Sequence, residues 1–401
     1  MFDDDIIEIA DLDPHSSKII KVIGVGGGGN NSVAHMFRVG NMQDVNYLVC
    51  NTDKKQLEDS PVPNQLQLGE EGLGAGGNPI VGNRLAEASL EKIKQELDER
   101  TKMVFVTAGM GGGTGTGAAP VIAREAMRKG ILTIGVVTLP FLFELETKIH
   151  KAIEGLEEMR KNVDALLVIN NERLREVYQD LSVINAFKRS DDILNVAVGS
   201  IVEIVNMHGL WNLDFRDIET VLRNGGFAHM STGIAEGYNR LTKAIDNALN
   251  SPLLNNDNIF KAKRVVMLLT FSPDSEKGFQ TTEMDEINGF VNRFSKNVTV
   301  KYGLATDESM GAAIKVTILA SGFEEDTEDE QNDDEYTFRQ AERLRKYYPA
   351  QAKKGRRHHR VFLYEIEDLN NEVIIDLVDS HPTLRRHASI LDEIQDNQTK
   401  K

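Results

Sequence analysis

The sequence predicts an α/β fold with a mostly parallel sheet, a long central helix, a smaller α/β unit after it and a charged, disordered tail. Three observations carry this. Short apolar, β-branched runs alternate with helical stretches from residue 19 to 169, the pattern of strands joined by crossover helices. Each run ends in a glycine-rich or polar turn, where open α/β sheets hold ligands. Composition then changes abruptly: nine of the twelve residues 324–335 are Asp or Glu, and 339–360 is basic.

The elements follow in order. Residues 1–17 are polar, acidic and read as a flexible segment. Ile19-Ile20-Lys21-Val22-Ile23 is a strand running into Gly24-Val25-Gly26-Gly27-Gly28-Gly29-Asn30-Asn31, and a helix follows from residue 32 to about 39. A strand over 46–50 ends in Asn51-Thr52-Asp53. The segment Gly72-Leu73-Gly74-Ala75-Gly76-Gly77-Asn78-Pro79 precedes one long amphipathic helix, roughly 80–99. The strand Met103-Val104-Phe105-Val106-Thr107-Ala108 leads through Gly109-Met110-Gly111-Gly112-Gly113-Thr114-Gly115-Thr116-Gly117 into a helix over 118–126. A strand over 132–138 ends in Leu139-Pro140-Phe141-Leu142-Phe143-Glu144, a helix covers about 147–161, and a strand over 165–169 ends in Asn170-Asn171-Glu172. The stretch 186–209 is a helix apolar around most of its girth, which places it between layers or domains. Strands at 264–271, 298–302 and 312–320 with a helix at about 282–295 make the second unit. The opposed charge blocks of 324–360 read as a disordered linker. The apolar residues regained over 361–392 read as a partner-binding segment.

The glycine stretch 109–117 carries the chemistry. A strand, a glycine turn and a helix start form an anion site, because the first helical N–H groups lack internal partners. Glycines admit a ligand close to the backbone, and the Thr114 and Thr116 hydroxyls can donate to phosphate oxygens or cap the helix. A flexible surface loop would not need both flanks. There is no Walker A lysine motif.

Bulk properties bound the rest. The chain has 401 residues, 40 % hydrophobic and 27 % charged, and a net charge of −16, which speaks against a general nucleic-acid binder. The single cysteine, Cys50, reads as a core hydrophobe and suits a reducing compartment. No run is long enough to span a membrane, and the acidic start lacks the basic region of a signal peptide. The expected location is the cytoplasm.

At this point the residues resemble one family, the FtsZ family of bacterial cell-division GTPases, prokaryotic relatives of tubulin. The resemblance covers about 18–320. It rests on Gly111-Gly112-Gly113-Thr114-Gly115-Thr116-Gly117 as the signature loop. Gly26-Gly27-Gly28-Gly29-Asn30-Asn31, Asn51-Thr52-Asp53, Gly74-Ala75-Gly76-Gly77-Asn78-Pro79, Pro140-Phe141-Leu142-Phe143-Glu144 and Asn212-Leu213-Asp214-Phe215-Arg216-Asp217 match other family loops in order.

The resemblance implies a tubulin-like, Rossmann-type GTPase domain over 18–185, a central helix over 186–210 and a C-terminal activation domain over 211–323. It implies GTP or GDP with Mg2+ across the strand ends, the metal ligands being left open. Gly26, Gly27, Gly28, Asn30, Gly74, Ala75, Gly76, Gly111, Gly112, Gly113, Thr114, Gly115 and Thr116 would cradle phosphates, and Asn51 and Asp53 would also bind the nucleotide. Pro140, Glu144 and Lys148 would lie near the ribose and phosphates, Phe187 would stack on guanine, and Asn171 and Asp192 would bond its edge. Asn212, Asp214 and Asp217 would complete the active site of the next subunit in a head-to-tail filament at the mid-cell division site. Division proteins and a membrane adaptor would bind the tail, 361–401. Helix capping, on this reading, explains one of the two acids and not both.

Three positions depart from the family pattern. Leu145 stands where glycine is usual, Lys148 where arginine is common, and Asp191 where asparagine precedes Asp192. Two other functions compete. A dinucleotide-dependent oxidoreductase would explain Gly24-Val25-Gly26 but gives residues 111–117 no purpose. A nucleotide-binding scaffold with weak or no hydrolysis would suit Leu145 but not the paired acids.

Overall fold

The computed structural model describes residues 18–42, 44–178, 182–206, 211, 213–250, 259–274, 278–294 and 297–323, with Tyr347, Tyr348, Val373 and Ile375. Apart from those last four, the expected linker and tail lie outside the described residues, as does the expected flexible start.

The strands β1 (Ile20–Val25), β2 (Val45–Asn51), β3 (Gln65–Gln67), β4 (Met103–Gly109), β5 (Leu132–Leu139) and β6 (Ala165–Asn170) are all parallel, in the order 3-2-1-4-5-6. Every residue of β1 is buried, as its unbroken apolar run requires of a strand covered on both faces. The order reverses between β1 and β4. The two turns leaving those strands flank that switch point, where such a sheet opens a crevice.

The sheet continues through β7 (Gly226–Ala235), β10 (Ile314–Ser321), β8 (Arg264–Phe271) and β9 (Thr299–Thr306) to make ten strands among the described residues. Only β10 runs against its neighbours. The two halves therefore share one sheet, joined where β6 and β7 pair over three residue positions. Asp164, 1 % exposed, stitches that joint. Its carboxylate accepts from Thr133 N at 3.0 Å and from Arg223 Nη1 at 3.0 Å, and its carbonyl accepts from Gly225 N and Gly226 N at 2.8 and 3.1 Å.

The helices are α1 (Gly26–Val39), α2 (Lys54–Glu58), α3 (Pro79–Ala88), α4 (Leu90–Glu96), α5 (Thr114–Arg128), α6 (Glu146–Lys161), α7 (Asn171–Val177), α8 (Val183–Asn206), α9 (Phe215–Leu222), α10 (Arg240–Leu249) and α11 (Met284–Val291). Helix α8 lies as its composition predicts. Ile193, Leu194, Val198 and Ile201 share one core cluster with Phe105 and Leu167 of the first half and Leu268 and Leu319 of the second. The other face of β8 and β10 packs with α10 and α11 in a separate cluster.

Some boundaries differ from the sequence reading, each for a local reason. The long helix expected over 80–99 is two helices. Ser89, between them, accepts from Gly69 N and donates to Leu85 O, both at 2.9 Å, a bond to a distant loop that no periodicity reveals. Helices α1 and α5 begin inside the glycine turns rather than after them. Helices α3 and α5 touch backbone to backbone, so that a Cβ on Gly117 would stand 2.0 Å from Pro79 O. Strand β7, which precedes the three strands expected for the second unit, was not anticipated. Cys50 is fully buried in β2, and burial pushes its thiol well above the usual range.

Candidate functional site

Two strand-to-helix joints build the site. Strand β1 passes into α1 at Gly26, whose φ of +71° suits glycine. A Cβ there would meet Gly115 N at 2.6 Å, so the two joints are in direct contact. Neither Val25 before α1 nor Gly113 before α5 caps its helix with a side chain. The first-turn N–H groups of both helices are therefore available to a ligand, and both helix dipoles present their positive ends.

These joints floor a cleft of ≈ 490 Å³. Gly27, Gly28, Gly112, Gly113, Thr114 and Gly115 line it, as do Asn51 and Asp53 after β2 and Gly74, Ala75 and Gly76 before α3. Pro140, Glu144, Lys148, Asn171 and Phe187 line the other side. The walls are braced from behind. Thr52 and Thr114 share a buried hydroxyl contact of 2.6 Å, Asn51 Nδ2 donates to Gln56 Oε1 at 2.8 Å, and Asp53 caps α2. Glu144 accepts from Phe141 N at 2.9 Å and pairs with Lys148. Ser190 Oγ donates to Asn171 Oδ1 at 2.8 Å. Phe187 meets the ring of Phe141 edge-on, 5.1 Å between centroids, and is left 41 % exposed toward the cleft.

Five residues expected at the ligand do not line this cleft. Gly26 is the contact between the joints. Asn30 is 5 % exposed, and with its amide nitrogen turned inward it donates to Gly24 O at 2.8 Å and Cys50 O at 3.2 Å. Thr116 Oγ1 accepts from Gly111 N at 2.8 Å, closing the signature loop on itself. Asp192 pairs with His35 Nε2 at 2.9 Å in an adjoining cleft that shares Gly27, Asn31, Gln56 and Asp191 with the first.

The cleft's lining also includes seven polar side chains that the sequence reading does not single out: Asn31, Ser32, Thr52, Gln56, Thr138, Ser190 and Asp191. Asn31 and Thr52 lie inside the matched loops, and Asp191 was visible as a departure. The remaining four carry no signal that separates them from ordinary polar residues. Asp191 accepts a hydrogen bond from Ser32 Oγ. Burial pushes its carboxyl above the ordinary range; Ser32 and His35 oppose this, and Asp192 adds to it.

The lining side chains hold three carboxylates, Asp53, Glu144 and Asp191, against one ammonium, Lys148. Anion binding here would rest on backbone N–H groups, and a polyphosphate would need a cation to accompany it. Among the described residues no group of three or more His, Cys, Asp or Glu is arranged to hold a metal. A divalent ion in this cleft would sit mainly on phosphate oxygens and water, the habit of Mg2+.

Asp214 and Asp217 do not line the cleft. They close a reciprocal capping box on α9: Asp214 Oδ1 accepts from Asp217 N at 2.9 Å, and Asp217 Oδ2 accepts from Asp214 N at 3.3 Å. Capping thus accounts for both acids, contrary to the sequence argument that it would account for one. Asn212 lies outside the described residues.

The model described as "Tubulin/FtsZ family, GTPase domain" matches residues 19–179. "FtsZ family, C-terminal domain" matches 226–324, and "FtsZ, C-terminal" matches 356–401. Cell division protein FtsZ of Porphyromonas gingivalis is 51 % identical over 329 residues, 81 % of this chain and 71 % of its own. That of Pseudomonas aeruginosa is 42 % identical over 310 residues, 76 % of this chain and 77 % of its own. The empty FtsZ dimer of M. jannaschii superposes with a TM-score of 0.68 at 37 % identity, over 76 % of this chain and 88 % of that one. A GTPγS-bound protofilament of CetZ2 from Haloferax volcanii has a TM-score of 0.65 at 22 % identity, over 82 % and 98 % of the two chains, a likeness of fold alone.

Proposed function

The chain belongs to the FtsZ family of tubulin-like GTPases, and on that premise we propose that it binds GTP in the cleft between α1 and α5, hydrolyses it to GDP and phosphate, and polymerises head-to-tail into the filaments of the bacterial division ring. The observation that carries this is the separation of parts. Asp214 and Asp217, fixed in a capping box, stand outside the cleft, whose described lining carries Asp53, Glu144 and Asp191 as its acids. Head-to-tail contact would bring one subunit's acids to the next subunit's nucleotide, and such a heterologous contact that does not close makes a filament.

The roles proposed here combine the lining of the cleft with what the family resemblance implies. N–H groups at Gly27, Gly28, Gly113, Thr114 and Gly115 receive the phosphates, with the segment of Gly74, Ala75 and Gly76 opposite. A Mg2+ held mainly by the phosphates would offset their charge and that of Asp53, Glu144 and Asp191. Glu144 and Lys148 stand at the ribose, and Phe187 and Asn171 at the base. Asp192 accepts from the guanine N1–H and amine after leaving His35, with Asp191 beside it. Asp217, set by Asp214, orients the attacking water of the neighbour's site, with Asn212 assigned there on the family resemblance alone.

The tail over 361–401, which overlaps the matched C-terminal segment, binds a membrane adaptor and other division proteins. No described helix is long and apolar enough to cross a membrane, so an adaptor would hold the filament at the cytoplasmic face of mid-cell. The chain's charge of −16 leaves nucleic acid outside this reading.

Leu145, at φ +77° beside Glu144, favours a second reading, a nucleotide-binding scaffold with weak hydrolysis. One assay separates the two: phosphate release per molecule across a dilution series. We expect turnover close to zero below an assembly threshold and rising above it. Turnover that stays flat in protein shown to be monomeric would exclude the shared site, and filaments without phosphate release would favour the scaffold.

A further inference from the structure

Asp217 is held at both carboxylate oxygens. Oδ2 takes the Asp214 N–H, and Oδ1 takes the ammonium of Lys301 at 3.1 Å. Arg216, its neighbour in sequence, is turned away to Glu219 at 2.7 Å. Lys301 belongs to β9, the last strand of the sheet. The three residues after it also grip the acid loop. The Tyr302 ring meets Trp211 at 4.9 Å. Gly303 leaves room for Leu213, whose Cδ1 would stand 2.8 Å from a Cβ there. Leu304 exchanges backbone hydrogen bonds with Trp211 at 3.0 and 3.3 Å. Four successive residues of an edge strand thus serve as the bed on which the acid loop lies.

We propose that Lys301 is a positioning residue for hydrolysis: its ammonium fixes the direction in which Asp217 presents its carboxylate to the neighbouring subunit's nucleotide. The inference rests on the trans-acting role given to Asp217 above. An acid that aligns a water works only in a narrow range of orientations. The capping bond alone holds one oxygen at 3.3 Å and leaves the carboxylate free to swing about it. Lys301 removes that freedom from outside the helix, without itself reaching the reacting atoms.

The test compares Lys301→Met, Lys301→Arg, Asp217→Ala and the Lys301→Met/Asp217→Ala double variant with the parent. Kcat and KM for GTP are measured above the assembly threshold, GTP-dependent pelleting is scored, and the emission of Trp211, the chain's one tryptophan, reports the loop. Lys301→Met should lower kcat by about 10- to 100-fold, the cost of a misplaced group, with KM, pelleting and Trp211 emission unchanged. Lys301→Arg should recover most of the loss. The double variant should turn over no more slowly than Asp217→Ala, because two changes acting through one group do not add.

If Lys301→Met keeps the parental kcat while Asp217→Ala loses it, this inference is overturned and the proposed function stands. If Asp217→Ala itself keeps the parental kcat, the trans-acting reading fails and this inference with it. A shifted Trp211 emission or lost pelleting in Lys301→Met would make Lys301 structural and overturn the inference as well.

Discussion

Asp164→Ala should destabilise the protein by about 3–4 kcal/mol, chiefly from two of the three hydrogen bonds its carboxylate loses, the third, from Asn224 N, being the longest at 3.4 Å. The first is the bond from Thr133 N, at a residue with no exposure. An amide orphaned there costs about 1–3 kcal/mol. The second is the Arg223 guanidinium, which keeps Glu219 at 2.6 Å and the carbonyl of Gly130 at 3.2 Å. Its side chain is 30 % exposed, so we assign about 1–1.5 kcal/mol rather than the full value of a hydrogen bond to a charged group. The total matches the usual cost, about 3–5 kcal/mol, of breaking a buried pair by removing one partner. Asp164→Asn, which keeps an acceptor for Thr133, should cost about half as much. Urea unfolding followed by far-UV circular dichroism and Trp211 emission measures both. A loss under about 1 kcal/mol for Asp164→Ala would refute this account of the joint, since solvent would then be replacing the carboxylate at a site assigned as dry.

Other outcomes can be checked with simpler measurements. Asp192→Ala should raise the Kd for GTP by about 10- to 100-fold, the worth of a charged acceptor on the guanine edge; an unchanged Kd would remove Asp192 from the base site. Leu145→Gly should raise stability by about 1 kcal/mol, because relief of a backbone conformation suited to glycine exceeds the added chain entropy; a lower melting temperature would contradict this. Gly117→Ala should destabilise by about 1–3 kcal/mol or more and weaken GTP binding, since overpacking pushes α3 from α5; parental values for both would show that the helices can part freely. Burial raises the Asp191 carboxyl's folded pKa above its unfolded value, so its charge costs stability above the folded pKa and that cost fades as pH falls toward the ordinary carboxylate range. Asp191→Asn should therefore stabilise at pH 7 and lose the advantage near pH 4; an advantage that grows on acidification would reverse the assignment.

What the residues disclosed depends on how local the physics is. The parallel half was legible because β1 and β4 are uninterrupted apolar strands ending in glycine turns. Strand β7 escaped because its sequence, Gly-Phe-Ala-His-Met-Ser-Thr-Gly-Ile-Ala, has one β-branched apolar residue and two glycines; pairing with β10 makes it a strand. The break at Ser89 escaped for the same reason, since its partner is twenty residues away. At the site, glycine loops mark the floor of the cleft, but not which loop residues line it and which brace it. Asn30 and Asn31 are both plausible acceptors in sequence, and only the packing under Cys50 turns one inward. Asp191 and Asp192 are about 100° apart on a helix, and periodicity could not say which lines the cleft. Lys301 lies 84 residues beyond its partner and carries no motif.

Cys50 sits immediately before Asn51, which lines the cleft, and no solvent reaches its sulfur in the folded chain. A thiol reagent must wait for the apolar cover of Ile93, Leu97 and Ile122 to lift from this face of the sheet before it can react. One alkylation event therefore records one opening of this region, and a chain with a single thiol gives a single, unmixed rate. Slow labelling with nucleotide present and faster labelling without it would turn the buried sulfur into a meter of how firmly the occupied cleft holds its own floor together.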